Sequence, residues 1–491
     1  MKIGFSTATR CIVALLPALV IGACTMGPDF LKPNVDPPAQ FRYQISQAEA
    51  QSFADLPWFS VFNDPTLQGL VNEALANNQD LAVAVARIEE ARQRVEQVES
   101  EGRPQIGYNA SAAGERALVQ GQNGNAKAFT FGAFEGLLSA AWELDVWGRI
   151  RRATEASEAR LMEQEDVRRG VILTLVSDVA ADYFSLLELD QELVVAEQSA
   201  KDYKHTFDLF DARYQGGKDS KLPVERGQAA YQSSLSDIQD LKRRIALQEN
   251  AIAVLLGGYP KAIGRGHPLD RQTTPQTPPG STTALLQRRP DIMGAEHEMI
   301  AANAEIGEAI ANFFPRIGLS AFIGGQGISI ASTFSGFGVW NLAATLAGPI
   351  YSGGRLEAEY HERQSYWDEA VASYRQKVLV AFQETSDALV AQQTLVDRRA
   401  ALEVQVQSLQ HSVDFAFLRY ESGRASYFEV LEAQQQLFPA KDALAQTQRD
   451  QLLAVVNLYK ALGGGWHGTA GDTTEAGAGA AHPPTTTTAG G

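Results

Sequence analysis

Apolar residues recur at seven-residue spacing along two long, proline-free stretches of the chain, residues 151–214 and 357–421. In the first stretch they are Ile172, Val179, Leu186, Leu193, Ala200, Phe207 and Tyr214. In the second they step alternately by four and three, at Leu402, Val406, Leu409, Val413, Ala416 and Tyr420. Sustained seven-residue spacing predicts long helices that pack as coiled coils. At 1.5 Å per residue, each helix would be roughly 95 Å long.

The two stretches belong to an internal duplication. Trp147-Gly148-Arg149 recurs as Gly353-Gly354-Arg355, at an offset of 206 residues. At the same offset, Arg213-Tyr214 with Gly217 recurs as Arg419-Tyr420 with Gly423. Repeated matches at one offset predict two copies of one structural plan. We assign the first repeat to residues 65–260, an equatorial linker to 261–284 and the second repeat to 285–466.

Each repeat predicts the same order of elements. Helical segments at 65–102 and 283–312 end before Pro104 and Pro315, because proline cannot continue a helix. Segments rich in glycine, serine, alanine and aromatic residues then predict four strands, at 105–116, 128–146, 315–330 and 337–351. The long helices follow, and glycines predict helix-turn hinges at Gly216, Gly217 and Gly423. Returning helices are predicted at 222–257 and 427–463.

The strand at 128–146 has one apolar and one polar face. Its apolar positions are Phe134, Leu138, Ala140, Trp142 and Leu144, and its polar positions are Glu135, Ser139, Glu143 and Asp145. A membrane barrel wall needs this alternation, because it has lipid on one side and water on the other. A soluble sandwich sheet would show the same pattern, so the strand by itself leaves both interpretations open.

The N-terminal 23 residues have the features of a signal peptide. Lys2 and Arg10 flank an uncharged start. The apolar core that follows, residues 11–22, is too short to span a membrane. Ile21-Gly22-Ala23-Cys24 resembles the lipobox of bacterial lipoproteins, which implies cleavage before Cys24 and attachment of N-acyl and S-diacylglycerol lipid to it. In that class Thr25 favours delivery to the outer membrane. An ordinary signal peptide that contains a cysteine is the alternative.

Composition narrows the function further. The chain has 491 residues and a formal net charge of −16, which disfavours nucleic acid as a partner. We find no stretch of about 20 apolar residues, so membrane contact is expected through a lipid anchor or through β-strands. The seven histidines are scattered, and His297-Glu298 lacks the second histidine of a zinc protease. We therefore predict neither an enzyme nor a metal site.

Four strands cannot close a barrel, and open strand edges cannot face lipid. The chain must therefore associate with itself if its strands enter a membrane. Two copies would give eight strands, whose interior fills with side chains, whereas three copies would give twelve strands and leave a lumen. The long helices would then project into the periplasm. A periplasmic coiled-coil lipoprotein without a pore is the alternative.

Four sequence motifs together are similar to the TolC-type outer-membrane efflux proteins, in particular to their lipoprotein branch. The motifs are Ala141-Trp142-Glu143-Leu144-Asp145, Leu285-Leu286-Gln287-Arg288-Arg289-Pro290-Asp291-Ile292, Phe313-Phe314-Pro315 and Asn457-Leu458-Tyr459-Lys460-Ala461-Leu462-Gly463-Gly464-Gly465-Trp466. The resemblance covers residues 24 to about 466. Residues 467–491 depart from it and are predicted to be a disordered, low-complexity tail.

The resemblance implies an α+β membrane protein: a homotrimer with a twelve-stranded transmembrane β-barrel, continued by a periplasmic α-helical barrel. It implies that residues 24–64 form a lipid anchor and an extended segment. Its expected partners are outer-membrane lipid, a periplasmic membrane-fusion adaptor and an inner-membrane transporter of the resistance-nodulation-division class. The expected function is the exit duct of that pump, which passively conducts small toxic compounds such as drugs. The identity of the cargo cannot be read from the sequence.

The resemblance also places a gate at the periplasmic tip. It implies Arg419 and Tyr420 as a latch, Phe428 as an apolar plug, and Glu429 and Glu432 as acidic rings. Two of them have a simpler interpretation from the residues alone: Tyr420 is a position of the apolar seam, and Glu429 with Ser426 fits a helix capping box. Acidic rings would attract cations.

Overall fold

The computed structural model describes residues 25–43, 61, 63–120, 126–273, 281–335 and 338–464. The predicted signal peptide, Cys24 and the tail 467–491 lie outside these residues. The helices are α1 Pro65–Asn77, α2 Gln79–Ser100, α3 Arg149–Gln215, α4 Lys221–Leu255, α5 Thr282–Arg288, α6 Pro290–Ala311, α7 Ile330–Ser335, α8 Arg355–Glu421 and α9 Tyr427–Ala461. The strands are β1 Gln105–Gln120, β2 Ala126–Leu144, β3 Arg316–Gly327 and β4 Val339–Ala347.

The described residues form two compact units. The first draws on the described residues within 25–34, 87–165 and 294–375, and the second on those within 35–86, 166–293 and 376–464. Since α3 and α8 are 67 residues long, each contributes its N-terminal part to the first unit and its C-terminal part to the second. We describe the two units in turn.

The first unit contains one antiparallel sheet in the order β1-β2-β3-β4. The duplication is visible in it, because each repeat supplies one hairpin and β2 of the first pairs with β3 of the second. Leu138 of β2 stands beside Tyr108 of β1 and Ile323 of β3, and Ile323 stands beside Trp340 of β4. The register therefore places these four large apolar residues, one from each strand, on the same face of the sheet.

That apolar face is exposed in the single chain. Ile106, Tyr108, Trp340 and Leu342 are between 74% and 84% exposed, and no layer of protein among the described residues covers them. The opposite face carries polar contacts, such as the hydrogen bond from Gln326 Nε2 to Glu135 Oε2 at 2.6 Å. A soluble sandwich would bury its apolar face against a second sheet. The exposed apolar face is instead what a lipid-facing wall requires.

A short helix, α7, separates β3 from β4 and was not predicted from the sequence. Its Thr333 carbonyl oxygen would lie 1.9 Å from a Cβ atom added at Gly325. A Cβ atom added at Gly327 would lie 2.5 Å from Ser332 Oγ. From the sequence alone, the glycines of residues 324–327 are interpreted as part of a flexible barrel rim. In the structure they let α7 lie directly against β3.

The helical part of the first unit is packed through small side chains. Ala156 and Ala159 of α3 meet Ala301 and Ala304 of α6 in one buried cluster. Small residues allow close approach of the two helix backbones, and Glu305 then pairs with Arg160 of α3 and with Arg363 of α8. The segment after residue 24 is also fixed here, because Met26 N donates to Trp147 O at 3.1 Å.

The second unit contains the distal parts of α3 and α8 and the returning helices α4 and α9. Its buried cluster includes Val195, Tyr203 and Phe210 of α3 with Ala416 and Tyr420 of α8. These residues occupy the predicted heptad seams or lie beside them. One 18-residue window within α3 has mean hydropathy high enough to cross a membrane, but 61% of it is buried inside the protein. We interpret it as a core helix.

Candidate functional site

The candidate site lies at the two helix turns of the second unit. Gly217 ends α3 with a φ of +70°, and Gly423 ends α8 with a φ of +70°. Both turns close in the same way: Lys218 N donates to Arg213 O at 2.9 Å, and Arg424 N donates to Arg419 O at 2.8 Å. This is the Schellman motif, in which a left-handed residue satisfies the last carbonyl groups of a helix.

Gly216 differs from the other predicted hinge glycines. Its amide keeps the helical hydrogen bond to Ala212 O at 3.0 Å, and its φ is not in the left-handed region. Gly217 therefore makes the turn of the first repeat, and Gly423 makes the turn of the second. Left-handed backbone is cheap for glycine because it has no Cβ atom.

A carboxylate joins the two repeats at these turns. Asp219, in the turn after α3, accepts a hydrogen bond from Arg213 Nε at 2.6 Å and from Tyr420 OH of α8 at 3.5 Å. The Arg213 guanidinium also lies over the Tyr420 ring, 5.1 Å from its centroid. Burial and the nearby Asp219 raise the pKa of Tyr420. Tyr420 therefore stays a neutral hydrogen-bond donor at physiological pH.

Three aromatic rings pack behind this contact. The Phe210 ring of α3 lies 3.9 Å from the Tyr427 ring of α9 and 5.7 Å from the Tyr420 ring, measured between centroids. Both pairs are edge-to-face, the arrangement that aromatic quadrupoles favour. Tyr427 is 8% exposed, and burial raises the pKa of its hydroxyl. Tyr420 therefore has two roles: its ring packs in the seam, as the heptad pattern predicts, and its hydroxyl group donates to Asp219.

Arg419 and Glu429 form a second contact between α8 and α9. Their side chains are 3.6 Å apart from Nη2 to Oε2, and they are 58% and 44% exposed. The side chain of Ser426 makes no capping hydrogen bond at the start of α9. The predicted capping box of Ser426 and Glu429 is therefore wrong, because Glu429 turns toward the guanidinium of Arg419 instead.

The remaining predicted gate residues point away from the core. Phe428 is 57% exposed, an unusual position for a large apolar side chain, and Glu432 is also exposed. Phe428 follows the buried Tyr427 by one position on α9, so the two side chains leave the helix in different directions. Phe428, Glu429 and Glu432 are thus available to face other copies of the chain.

Sequence reasoning missed Asp219 and Arg213. A signal was present, since Asp219 stands 206 residues before Ala425 and so breaks the equivalence of the two repeats. The turn of the first repeat, residues 216–220, carries a carboxylate, whereas residues 422–426 of the second turn carry none. Proximity to Tyr420, however, depends on how α3 and α8 pack side by side, which the sequence does not state.

The predicted lipidation site, Cys24, lies outside the described residues, so its surroundings are not known. Its neighbour Thr25 is described and lies against Gly148, where a Cβ atom would come within 2.9 Å of Thr25 Cα. Gly148 has a φ of +77° and stands between β2 and α3. The chain is therefore held at the junction of strand and helix just after residue 24. Among the described residues, no cluster of three His, Cys, Asp or Glu side chains is placed to hold a metal ion.

Comparison with known proteins agrees with this geometry. A sequence profile for outer membrane efflux proteins matches residues 70–258 and again residues 282–464. The chain is 32% identical to the cation efflux system protein CusC of Escherichia coli O6:H1 over 462 residues, which is 92% of this chain and 98% of CusC. It is 32% identical to the toluene efflux pump outer membrane protein TtgC of Pseudomonas putida over 475 residues, which is 95% of this chain and 98% of TtgC.

A solved structure supports the same relationship. The outer-membrane channel OprN superimposes with a TM-score of 0.83 at 28% sequence identity, covering 90% of this chain and all of OprN. The described part of the chain is mostly helical with one four-stranded antiparallel sheet, so the predicted fold class is confirmed. Because the profile matches both repeats and the relatives match almost throughout, the chain belongs to the outer membrane efflux protein family and is an outer-membrane efflux channel.

Proposed function

We propose that three copies of this chain form the lipid-anchored, gated exit duct of a tripartite efflux pump. The observation that carries the proposal is the sheet, which exposes a continuous apolar face and has open edges at β1 and β4. An unpaired strand edge cannot remain in lipid, since each free N–H or C=O group would cost several kcal/mol. Pairing β4 of one copy with β1 of the next removes every edge.

Three copies fit best because twelve strands leave an open lumen, whereas eight strands fill their interior with side chains. The polar face of the sheet, with Glu135 and Gln326, would then line the water-filled interior. The apolar face with Trp340 and Leu342 would meet lipid.

An acylated Cys24 would anchor the duct beside this wall. The fixed position of Thr25 at the junction of β2 and α3 supports this, since the junction is where the apolar sheet ends and the polar helix begins. More than one acyl chain is needed for stable anchoring. Replacing Cys24 by Ser would therefore remove labelling by radioactive palmitate and would weaken membrane retention of any unassembled protein.

The turns of α3 and α8 would form the periplasmic gate. Asp219 joins the two repeats through Arg213 and Tyr420, and Arg419 with Glu429 forms a second, more exposed contact. Exposed Phe428 and Glu432, with half-buried Glu429, from three copies would narrow the opening. Breaking these contacts would let the ends of α8 and α9 move outward.

The cargo is proposed to be small toxic organic compounds, driven by an inner-membrane transporter of the resistance-nodulation-division class through a periplasmic adaptor. The relatives named above are described as serving cation efflux and toluene efflux, so related ducts serve chemically different pumps. The channel itself would be passive and without catalytic activity. Its partners would then decide what is transported.

Planar-bilayer recording tests the proposal. The purified protein should migrate as a heat-sensitive trimer and should conduct ions in discrete steps. Replacing both Arg419 and Tyr420 by Ala should raise conductance, and replacing both Glu429 and Glu432 by Ala should lower the preference for cations. A water-soluble monomer that gives no current after reconstitution would rule the proposal out. Unchanged recordings in both double variants would remove the gate assignment alone.

A further inference from the structure

A group of charged side chains is buried in the second unit, where α3, α4 and α9 pack together. Glu188 and Glu192 lie one helical turn apart on α3, and their side chains are only 2% and 6% exposed. Arg244 of α4 and Arg449 and Asp442 of α9 face them, and the next charged neighbours are Asp237 of α4, beside Asp442, and Asp450 of α9, beside Arg449. Buried carboxylates are costly unless each oxygen is hydrogen-bonded.

The carboxylate oxygens of the two glutamates are not equally well hydrogen-bonded. Glu192 Oε1 accepts a hydrogen bond from Gln446 Nε2 at 2.8 Å, and its Oε2 accepts one from Arg244 Nη1 at 3.2 Å. Glu188 Oε2 receives a longer hydrogen bond from Arg449 Nη1 at 3.4 Å, whereas its buried Oε1 has no partner among the described residues. An ionised Glu188 would leave that oxygen without a donor.

A proton on Glu188 removes this deficit. The two carboxyl groups lie within hydrogen-bond reach of each other, so a protonated Glu188 can donate to an ionised Glu192. Burial and the adjacent Glu192 raise the pKa of Glu188 to about 8. Asp442 belongs to the same group, since burial and Glu192 raise the pKa of its carboxyl to about 6.

The helix that faces the pair is interrupted nearby. Pro439 lies inside α9 and has no amide hydrogen, so the carbonyl oxygen of Gln435 lacks its helical hydrogen bond. Gln435, Pro439 and Asp442 line a cavity of about 540 Å³ that Glu192 also borders. A helix is easiest to bend where a hydrogen bond is missing and where space adjoins it.

We propose that Glu188 and Glu192 share one proton and act as a pH-sensitive clamp between α3 and α9, next to the Pro439 interruption. With the proton in place, Glu188 donates to Glu192 along α3, and both carboxyl groups keep accepting from α9, through Arg449 and Gln446. When the proton leaves, two adjacent buried carboxylates repel each other and Asp442, and the packing of α9 loosens. The segment of α9 before Pro439, which carries Phe428, Glu429 and Glu432, then moves more freely. This last step rests on the proposed gate, whereas the clamp is a property of the folded chain.

The clamp is tested on the purified, assembled wild-type protein and on Glu188→Gln, whose amide keeps the shape and can still donate to Glu192. A carboxyl whose pKa is raised on folding stabilises the fold below its unfolded pKa and loses that stabilisation as pH rises toward its folded pKa. The melting temperature of the wild type should therefore fall by several degrees from about pH 5 to about pH 8, whereas that of Glu188→Gln should fall by much less, through Asp442 alone.

Infrared spectroscopy gives a readout that a purely structural role would not change. The wild type at neutral pH should show the carbonyl stretch of a protonated carboxylic acid, and Glu188→Gln should lose it. Glu197→Gln is the matched control, because Glu197 is an exposed glutamate on the same helix, and it should behave as the wild type. Glu192→Gln, which removes the other half of the pair, should also reduce the fall in melting temperature with pH. A Glu188→Gln protein with unchanged band and unchanged pH slope would overturn the clamp.

Planar-bilayer recording tests the link to the gate. The open probability of the wild type should rise several-fold between about pH 6 and about pH 8, and that of Glu188→Gln should remain at the low-pH level. A conducting wild type whose open probability ignores pH would overturn the gating step. Absence of current in every variant, with the infrared and melting results as expected, would instead contradict the proposed function and leave the clamp supported.

Discussion

At the scale of single residues, the Asp219 carboxylate connects α3 of the first repeat to α8 of the second. Its Oδ2 atom accepts from Arg213 at 2.6 Å and from Tyr420 at 3.5 Å. The Asp219 and Arg213 side chains are 28% and 37% exposed, so their ion pair stabilises the fold by only about 1 kcal/mol. An ion pair of that strength can favour a closed tip, and a small free-energy input is enough to break it.

We therefore expect Asp219→Ala to raise single-channel conductance with little loss of trimer stability. The substitution removes the acceptor shared by both repeats but leaves the Phe210, Tyr420 and Tyr427 cluster intact. Asp208→Ala is the matched control, since it breaks an exposed ion pair to Lys204 that lies within α3 alone. Equal conductance in the two variants would show that Asp219 does not hold the tip closed.

At the scale of elements, close backbone approach explains several glycines better than flexibility does. Gly325 lies in β3 under the carbonyl of Thr333, whereas Gly114 lies in β1 with open space where a Cβ would go. The two positions have the same residue and the same secondary structure. They differ in what packs against the strand: backbone atoms of α7 lie against Gly325, and no atom lies within 4 Å of the Cβ position at Gly114.

Gly325→Ala should therefore destabilise the assembled protein by about 2 kcal/mol or more, because its Cβ would overlap backbone atoms of α7. Gly114→Ala should be neutral or slightly stabilising, since alanine loses less entropy on folding than glycine. The melting temperature of the trimer on unboiled gels measures both. Similar melting temperatures for the two variants would contradict the close packing of α7 on β3.

At the scale of the whole molecule, the two faces of the sheet require different surroundings. Leu342 and Ala343 are neighbours on β4, but Leu342 stands beside Ala321 on the apolar face and Ala343 stands beside Ser320 on the polar face. Leu342 is 74% exposed in the single chain. Such exposure is stable only where lipid replaces water.

Leu342→Arg should accordingly lower the stability of the assembled channel by about 2–4 kcal/mol, the cost of a cation in the lipid-facing band of a barrel. Ala343→Arg should leave assembly nearly unchanged and should alter ion selectivity, because its side chain would enter the lumen. Folding yield in lipid vesicles and single-channel recordings separate the two effects. Equal folding yields would argue against a lipid-facing role for this face.

Periodicity predicted much of this architecture. The seven-residue spacing located α3 and α8 to within two residues at each end, and the change of composition after Pro104 and Pro315 located all four strands. Both signals are local, since the heptad spacing records burial of one helix face and the composition suits extended backbone. Helix α7 gave no such signal, since six residues are too few to show a period.

The sequence by itself determined the long helices and the duplication through residue spacing, the strands through local composition, and the family through four short motifs, because each of these signals is local. Only the tertiary structure decided that Asp219 meets Tyr420, that Glu429 turns to Arg419 rather than capping α9, and that Glu188 is buried beside Glu192. These contacts join residues up to 201 positions apart. Their formation depends on how separate helices pack side by side, and helix packing sets distances that no local pattern records.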